Sequence, residues 1–345
     1  MYNLSDYLKF GSDLVSTHVL HRPRLSVLMF YATSRCNSRC NTCNIWRKTP
    51  KEDLSFEVLR RTVESRAVDK KTRIGLEGGE MLLHPDFDRI VDYLSTGGYN
   101  YELLSNGLLP ERLEAAVRRY QIPRVYLSLD GGRETYETVR GVDGYDKVME
   151  SILRLKEIVP ISIMYLINPW NGQADLEHVM GLCREHGLDL RVGVYNNMEF
   201  FDTTRRMHEV DYSIDTHVDV SGFAENQEFI DLFDAWKAGR VTLPCLSIRQ
   251  ELVVYPNGDV PLCQNKQIIL GNLNERSLDE ILADPETVRI QKAHLHCNGC
   301  WINFHRKFEV ALFGRLRWVP GPLFKPFFGE IKLPRVAPPE KSRRD

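Results

Sequence analysis

The stretch YATSRCNSRCNTCNIW, residues 31–46, sets Cys36, Cys40 and Cys43 in a C-x3-C-x2-C spacing. A closed structural zinc site takes four ligands and a disulfide takes two. Three thiols in one short loop, with no fourth nearby, describe a metal centre that keeps one coordination position for something else. Thiolates select zinc, copper(I) or iron–sulfur clusters. A zinc knuckle that borrows a histidine from elsewhere is the plainer alternative on spacing alone. The segment leading into the loop, SVLMFYATS (26–34), is apolar and β-prone, so the loop lies at the carboxyl end of a first strand. In α/β folds that is the end where the loops converge on an active site.

Working outward, five more segments of the same kind follow: RIGLEGG (73–79), YELLSNG (101–107), RVYLSLDG (124–131), ISIMYLIN (161–168) and LRVGVYN (190–196). Each is apolar almost throughout, as expected of a parallel sheet covered by helices. Helical patterns separate them, such as SFEVLRRTVESRAV with Ser55 as N-cap and DLEHVMGLCREHG closing at Gly187. Six β-α units make a partial or complete barrel, or an open wound sheet. From about residue 241 the rhythm changes. PCLSIRQELVVYPNGDVPLC reads as a β-hairpin turning at Pro256-Asn257-Gly258, followed by a helix over SLDEILADPETVRIQKA and then HCNGC. This predicts a small, separate, cysteine-tethered unit. The expected division is an N-terminal helical extension (1–25), an α/β core (26–240), the cysteine unit (241–305) and a basic, aromatic, proline-rich tail (306–345).

Composition sets bounds on all of this. The 345 residues carry 43% hydrophobic and 27% charged side chains and a net charge of −2, so no bulk attraction to nucleic acid is implied. From His305 onward ten Lys and Arg stand against four Asp and Glu, a local balance of +6. The opening MYNLSDYLKF has no basic region followed by an apolar core, and no apolar run approaches the roughly 20 residues that span a bilayer. A cytoplasmic, reduced protein is expected, and there eight cysteines serve metals sooner than disulfides. Cys183, within a helical pattern beside Met180 and Leu182, reads as an inert core thiol.

The other strand ends supply the company for the cysteine loop. Gly78, Gly79 and Glu80 end the second strand, where glycines permit close backbone approach and a carboxylate accepts from an ammonium. Ser105 and Asn106 end the third. Ser128 and Asp130 end the fourth and are followed by Arg140, Gly141 and Gly144; an Arg beside a Ser hydroxyl suits a carboxylate and a ribose. Together they describe a zwitterionic, ribose-bearing ligand beside a metal with an open position.

In its C-x3-C-x2-C loop, its GGE and its SLDG…RG..G, over residues 26 to about 200, the sequence resembles the radical S-adenosylmethionine (radical SAM) superfamily. The resemblance implies an α/β fold, a partial (β/α)6 TIM-like barrel. It implies a [4Fe–4S] cluster on Cys36, Cys40 and Cys43 whose fourth iron is chelated by S-adenosylmethionine. Gly78, Gly79 and Glu80 would then meet the methionyl amine, Ser128 and Arg140 the ribose and carboxylate, with Ser105, Asn106 and Asp130 beside them. The residue before the last cysteine, aromatic in that family, is Thr42 here, and Trp46 is expected to replace its packing near the adenine. The implied chemistry is reductive cleavage of S-adenosylmethionine to a 5′-deoxyadenosyl radical, which removes a hydrogen atom from the substrate.

Four further cysteines, Cys245, Cys263, Cys297 and Cys300, are enough to close a tetrahedral site, so zinc is physically admissible there. Their C-x12-G-x4-C…C-x2-C pattern resembles the twitch module, the short form of the SPASM extension. That resemblance implies a small C-terminal α+β unit with an auxiliary [4Fe–4S] cluster. A cluster saturated by four cysteines suits electron transfer, hence an oxidoreductase. Asp259, Gln264 and Asn265 are the residues expected to face the substrate and take its proton. His294 and His296 are expected at the surface or behind the ligands.

With only about 25 residues before the first strand, a small-molecule substrate (a sugar, cyclitol or lipid precursor) is favoured over a peptide. The alternatives are a peptide-modifying maturase and, in another class, a zinc-stapled binding protein. A reducing partner such as flavodoxin or ferredoxin is implied and no nucleic acid. The aromatic and basic tail, with six prolines between Pro320 and Pro339, suits peripheral membrane contact.

Overall fold

The computed structural model describes residues 4–195, 218–220, 223–315, 329 and 331–333. Helix α1 (Leu4–His18) precedes β1 (Val27–Tyr31). There follow α2 (Phe56–Val63), β2 (Arg73–Glu77), α3 (Phe87–Thr96), β3 (Tyr101–Ser105), α4 (Pro110–Tyr120), β4 (Val125–Ser128), α5 (Arg133–Arg140), α6 (Tyr145–Leu155), β5 (Ile161–Ile167), α7 (Gln173–His186) and β6 (Asp189–Val194). The second half holds α8 (Ala224–Lys237), α9 (Ser247–Gln250), β7 (Glu251–Val254), β8 (Asp259–Cys263), β9 (Lys266–Asn272), α10 (Leu278–Ala283), α11 (Pro285–Ala293) and α12 (Asn303–Glu309).

The sheet is a seven-stranded half-barrel, ordered β6-β5-β4-β3-β2-β1-β7 and parallel throughout. The partial α/β barrel expected from the sequence is thus present with one strand more. β7 pairs with β1, Met29 opposite Val253, so the cysteine unit is not separate: its first strand extends the barrel. The expected hairpin is corrected accordingly. The chain does turn at Gly258, whose amide donates to the Tyr255 carbonyl at 2.9 Å, but β8 then pairs antiparallel with β9. The helix expected over 277–293 is two helices, because Pro285 lacks the amide that would continue α10.

Local signals explain the ends of several elements. Ser55 accepts the Val58 amide at the start of α2, and Gly187 closes α7 with φ near +66°. The helix-facing side of the sheet is a dry core, with Leu28, Phe30, Ile74, Leu76, Leu103, Leu127 and Ile163 wholly inaccessible. Side chains alternate along a strand, and the register aligns the other set on the concave face: Met29, Tyr31, Arg73, Glu77, Glu102, Tyr126, Ser128, Met164 and Arg191. That face is polar and several of its residues are half-buried, which the apolar look of the strands concealed.

α12 is docked rather than part of a coreless tail. Phe308 stacks on Phe10 of α1 with ring centroids 4.1 Å apart and meets Tyr7 edge-on. Most of the tail, 316–328 and 334–345, lies outside the described residues, as do residues 1–3 and Asn196.

Candidate active site

The loop after β1 carries Cys36, Cys40 and Cys43 over the carboxyl end of the sheet and is held there by backbone contacts. The amides of Gly79 and Glu80 donate to the carbonyls of Thr33 (2.7 Å) and Arg35 (2.6 Å). On the other side, Arg39 and Asn41 donate to the carbonyls of Arg140 and Val139 at 2.9 and 2.8 Å. These approaches need glycine. A Cβ on Gly79 would collide with the Arg35 carbonyl, and one on Gly141, at φ +65°, with that of Arg39. Trp46 donates its indole N–H to the Cys40 carbonyl at 3.4 Å and lies under Arg47.

The strand-end residues gather around this loop with altered assignments. Asn106 bonds Asn37 at 2.7 Å and reaches Cys36 Sγ at 3.9 Å. Arg140 bridges Cys40 Sγ (3.8 Å) and Asp130 (2.5 Å), so Asp130 serves the arginine rather than a ligand hydroxyl. Glu80 is fully buried and accepts from Ser105 Oγ and from the amides of Asn106 and Leu82. It and Ser105 therefore brace the ends of β2 and β3; in this structure neither offers its side chain freely to a ligand. Ser128 is half-buried on the concave face.

This environment fits a cationic metal centre with a polar ligand. Burial, then the neighbouring Cys40 and Glu80, pushes the Cys36 thiol up to about 12 against the helping Ser38 amide, and Cys43 is pushed up by burial and Cys40. Such thiols ionise only beside positive charge, which a metal supplies outright. Three buried polar atoms around the loop, Ser38 Oγ, Tyr136 Oη and Arg140 Nε, have no hydrogen-bond partner, the mark of a site built for a further group.

The second set converges too. Cys245, Cys263, Cys297 and Cys300 line one cavity together with Asn265, Lys266, His294 and Arg306. Arg306 is fully buried, and its guanidinium donates to five oxygens. These are Cys300 O (3.1 Å), Leu243 O (3.3 Å), Pro244 O (2.9 Å), Cys297 O (3.0 Å) and Asn298 Oδ1 (3.0 Å). Burial pushes the Cys245 and Cys300 thiols up, and Arg306 is the first group acting the other way. Glu309, three residues on, accepts the Leu246 and Ser247 amides just beyond Cys245. Among the described residues no three His, Cys, Asp or Glu side chains are placed to hold one ion. A cubane, whose thiolates each hold a different iron, asks for no such convergence. His296 is exposed, whereas His294 edges the cavity.

Of the three residues expected to take a proton, Asp259 opens β8 at the far end from Cys263, and its carboxylate accepts from Asn257 and Asn272 beside the turn. Asn265 reaches the Gly299 carbonyl at 3.5 Å. Gln264 is buried and donates to Tyr31 Oη at 2.7 Å. Tyr31 in turn meets Glu77, giving a hydrogen-bonded line from the cavity's edge into the lumen that sequence reading missed. Burial and then Glu102 raise the Glu77 carboxyl to about 8, against the Tyr31 bond. Deeper in the lumen Arg73 pairs with Glu102 and donates to Tyr126 Oη, both at 2.6 Å.

With that geometry in place, residues 30–183 match the sequence profile of the Radical SAM superfamily, and residues 245–301 match SPASM, an iron–sulfur cluster-binding domain. The chain carries a radical SAM domain followed by a SPASM domain. Its cofactors are S-adenosylmethionine and [4Fe–4S] clusters, in keeping with both cysteine sets. Among curated proteins, the chain is 27% identical over 194 residues to Fe-coproporphyrin III synthase of Methanosarcina barkeri, covering 52% of this chain and 47% of that one. It is 27% identical over 181 residues to GTP 3′,8-cyclase of Aliarcobacter butzleri, covering 49% and 54%. The matches thus span about half the length of these relatives. In structure it is similar to Streptococcus suis SuiB bound to precursor peptide SuiA (TM-score 0.61, 14% identity, 84% and 72% covered). It is also similar to anSMEcpe with bound AdoMet (TM-score 0.57, 18% identity, 86% and 94% covered). At these identities the likeness concerns the fold.

Proposed function

We propose that this radical SAM enzyme is an oxidoreductase acting on a small polar molecule held in the barrel lumen. Cys36, Cys40 and Cys43 are assigned to the cluster that binds S-adenosylmethionine, and Cys245, Cys263, Cys297 and Cys300 to an auxiliary cluster. When bound, the reduced first cluster and S-adenosylmethionine supply a carbon radical that takes a hydrogen atom from the substrate. The chain's own residues do the rest. Gly78 and Gly79 bring backbone against the cysteine loop, while Asn106, Ser128 and the free Nε of Arg140 offer polar contacts to the cosubstrate. Glu80, Ser105 and Asp130 orient these groups, and Trp46 shields the loop. Tyr31, Glu77 and Gln264 present hydrogen-bonding groups to the lumen.

The observation that carries the oxidative reading is the second cavity. Its four thiols can saturate a cluster and leave no position for substrate, while Gln264 links its edge to the lumen. The polar concave face supports a hydroxylated or charged small molecule. A peptide-modifying reading draws on the fold shared with SuiB, whose structure holds a precursor peptide.

A flavodoxin- or ferredoxin-type donor and a cytoplasmic setting complete the reading; no described helix is long and apolar enough to cross a membrane. Peripheral lipid contact would use α1 and the turn after it, where Leu8 and Val15 on the helix and Val19 and Leu20 beyond it are exposed, with Arg22 nearby in sequence.

Anaerobic iron and sulfide analysis with assay of 5′-deoxyadenosine tests the core of this. About eight irons per chain and reductive cleavage of S-adenosylmethionine are expected. One or two zincs without sulfide would establish the zinc-stapled alternative.

A further inference from the structure

Arg306 stands on α12, just beyond the last cysteine and beyond the residues matched to the iron–sulfur domain, 245–301. We propose that Arg306 is the positioning residue of the second cysteine site, fixing the two segments that carry Cys245 and the Cys297–Cys300 pair and serving as counter-ion to the group they bind. This rests on the reading of those cysteines as cluster ligands.

Two observations carry it. The first is geometric. A guanidinium has five N–H donors in a rigid fork, and here they are met by five oxygens from the segments 243–244, 297–298 and 300. The first of these is distant in sequence from the other two, which are one stretch, 297–300, and few other ties join the two regions. One is the Cys245 amide, which donates to the Leu295 carbonyl at 2.7 Å; another is Asn298, whose side chain donates to the Val241 carbonyl at 2.8 Å. A side chain that joins both regions sets the separation of the thiols they carry.

The second is electrostatic. Among the described residues no carboxylate lies within ion-pair distance of Arg306. Glu309, the nearest acid in sequence, gives its Oε1 to the Leu246 and Ser247 amides instead. Carbonyl dipoles solvate a guanidinium without cancelling its charge, and buried charges persist where an opposite charge faces them. Arg306 acts on the Glu309 carboxyl, which burial nevertheless keeps raised, and it also lines the cavity of the four cysteines, so the remaining opposing charge is that of their thiolates and of the cluster they hold. The other basic side chains at that cavity are different in kind: Lys266 is exposed and His294 is bonded to the Ile290 carbonyl. A fixed positive charge favours the reduced, more negative form of a cluster, so Arg306 raises its potential.

The test compares R306Q and R306K with the full-length, anaerobically reconstituted wild type, by iron and sulfide content and by EPR-monitored redox titration. Wild type is expected to hold about eight irons. R306Q loses both fork and charge, and is expected to hold about four, with any remaining second cluster at a more negative midpoint. R306K keeps the charge and loses most of the bonds. Its expected result is intermediate occupancy, an altered EPR line shape and a midpoint nearer the wild type. R306Q with eight irons and an unchanged midpoint overturns the proposal. If R306Q does not accumulate as folded protein, R306K decides alone: wild-type iron, line shape and midpoint overturn it. A wild type with only four irons defeats the reading of the site itself, which is a separate outcome.

Discussion

The two cysteine sites of one chain are held by opposite means. Around Cys36, Cys40 and Cys43 the support is backbone on backbone, made possible by Gly78, Gly79 and Gly141, and buried side-chain atoms are left without partners. Around Cys245, Cys263, Cys297 and Cys300 one side chain, Arg306, spends every donor on the ligand segments. Glycine contacts bring the chain close and leave polar groups available for a ligand. An arginine clamp spends them on the protein. The difference separates a site that must admit a cosubstrate from one that only has to hold a cluster.

The sharpest way to break this contrast is to empty each site in turn. C36A/C40A/C43A should abolish 5′-deoxyadenosine formation and leave about four irons on the second set. C263A or C300A should also leave about four irons, yet keep some cleavage of S-adenosylmethionine while stopping turnover. Chromatography of the nucleoside alongside iron analysis reads both. Full turnover by C300A would reduce the second site to a structural staple.

Glycine substitutions sharpen the backbone half of the comparison. Gly141 and Gly187 both sit at helix C-termini, with φ near +65° and +66°. Nothing lies within 4 Å of a Cβ on Gly187, whereas at Gly141 the Arg39 carbonyl is in the way. G187A should therefore cost about 1 kcal/mol of strain alone. G141A should cost roughly 2–4 kcal/mol and lower iron loading at the first site only. Equal melting shifts in the two variants would mean that the loop yields freely and that close approach is not what holds it.

Much of this was legible beforehand, for identifiable reasons. Six strands, the Ser55 and Gly187 caps and the strand-end residues are local signals: apolar runs, a capping hydroxyl, a glycine. β7 escaped because ELVV beside a Pro-Asn-Gly turn looks like a hairpin arm, and only long-range pairing with Val27–Phe30 reveals its place. At Glu80 and Ser105 the sequence shows that a carboxylate and a hydroxyl end two strands, and not that Ser105, Asn106 and Leu82 all donate to that carboxylate. The concave face had left a trace, Arg73 and Glu77 at even spacing in RIGLE, outweighed by the apolar residues between them. Arg306 had none; an arginine in a basic stretch is unremarkable until its five acceptors are seen.

The effect that leaves both cysteine sites filled comes from two buried carboxyls, one near each site, and its sign can be worked out. Glu77 is raised to about 8 by burial and then by Glu102, and Glu309 to about 7 by burial against the pull of Arg306. In an unfolded chain each releases its proton near pH 4.3. Between that value and the folded one the native protein holds a proton the unfolded chain has lost, so stability falls as the pH rises through the window. Glutamine imitates the neutral carboxyl and carries no such slope. E77Q should melt with the wild type near pH 4.5 and progressively above it toward pH 8, by a difference bounded at about 5 kcal/mol and lessened by water reaching the lumen. E309Q should show the same trend ending near pH 7, bounded at about 4 kcal/mol. A melting difference for E77Q that stays flat from pH 5 to 8 would show Glu77 ionised in the native lumen. The polar face would then be anionic there, and a cationic substrate would be favoured over a neutral, hydroxylated one.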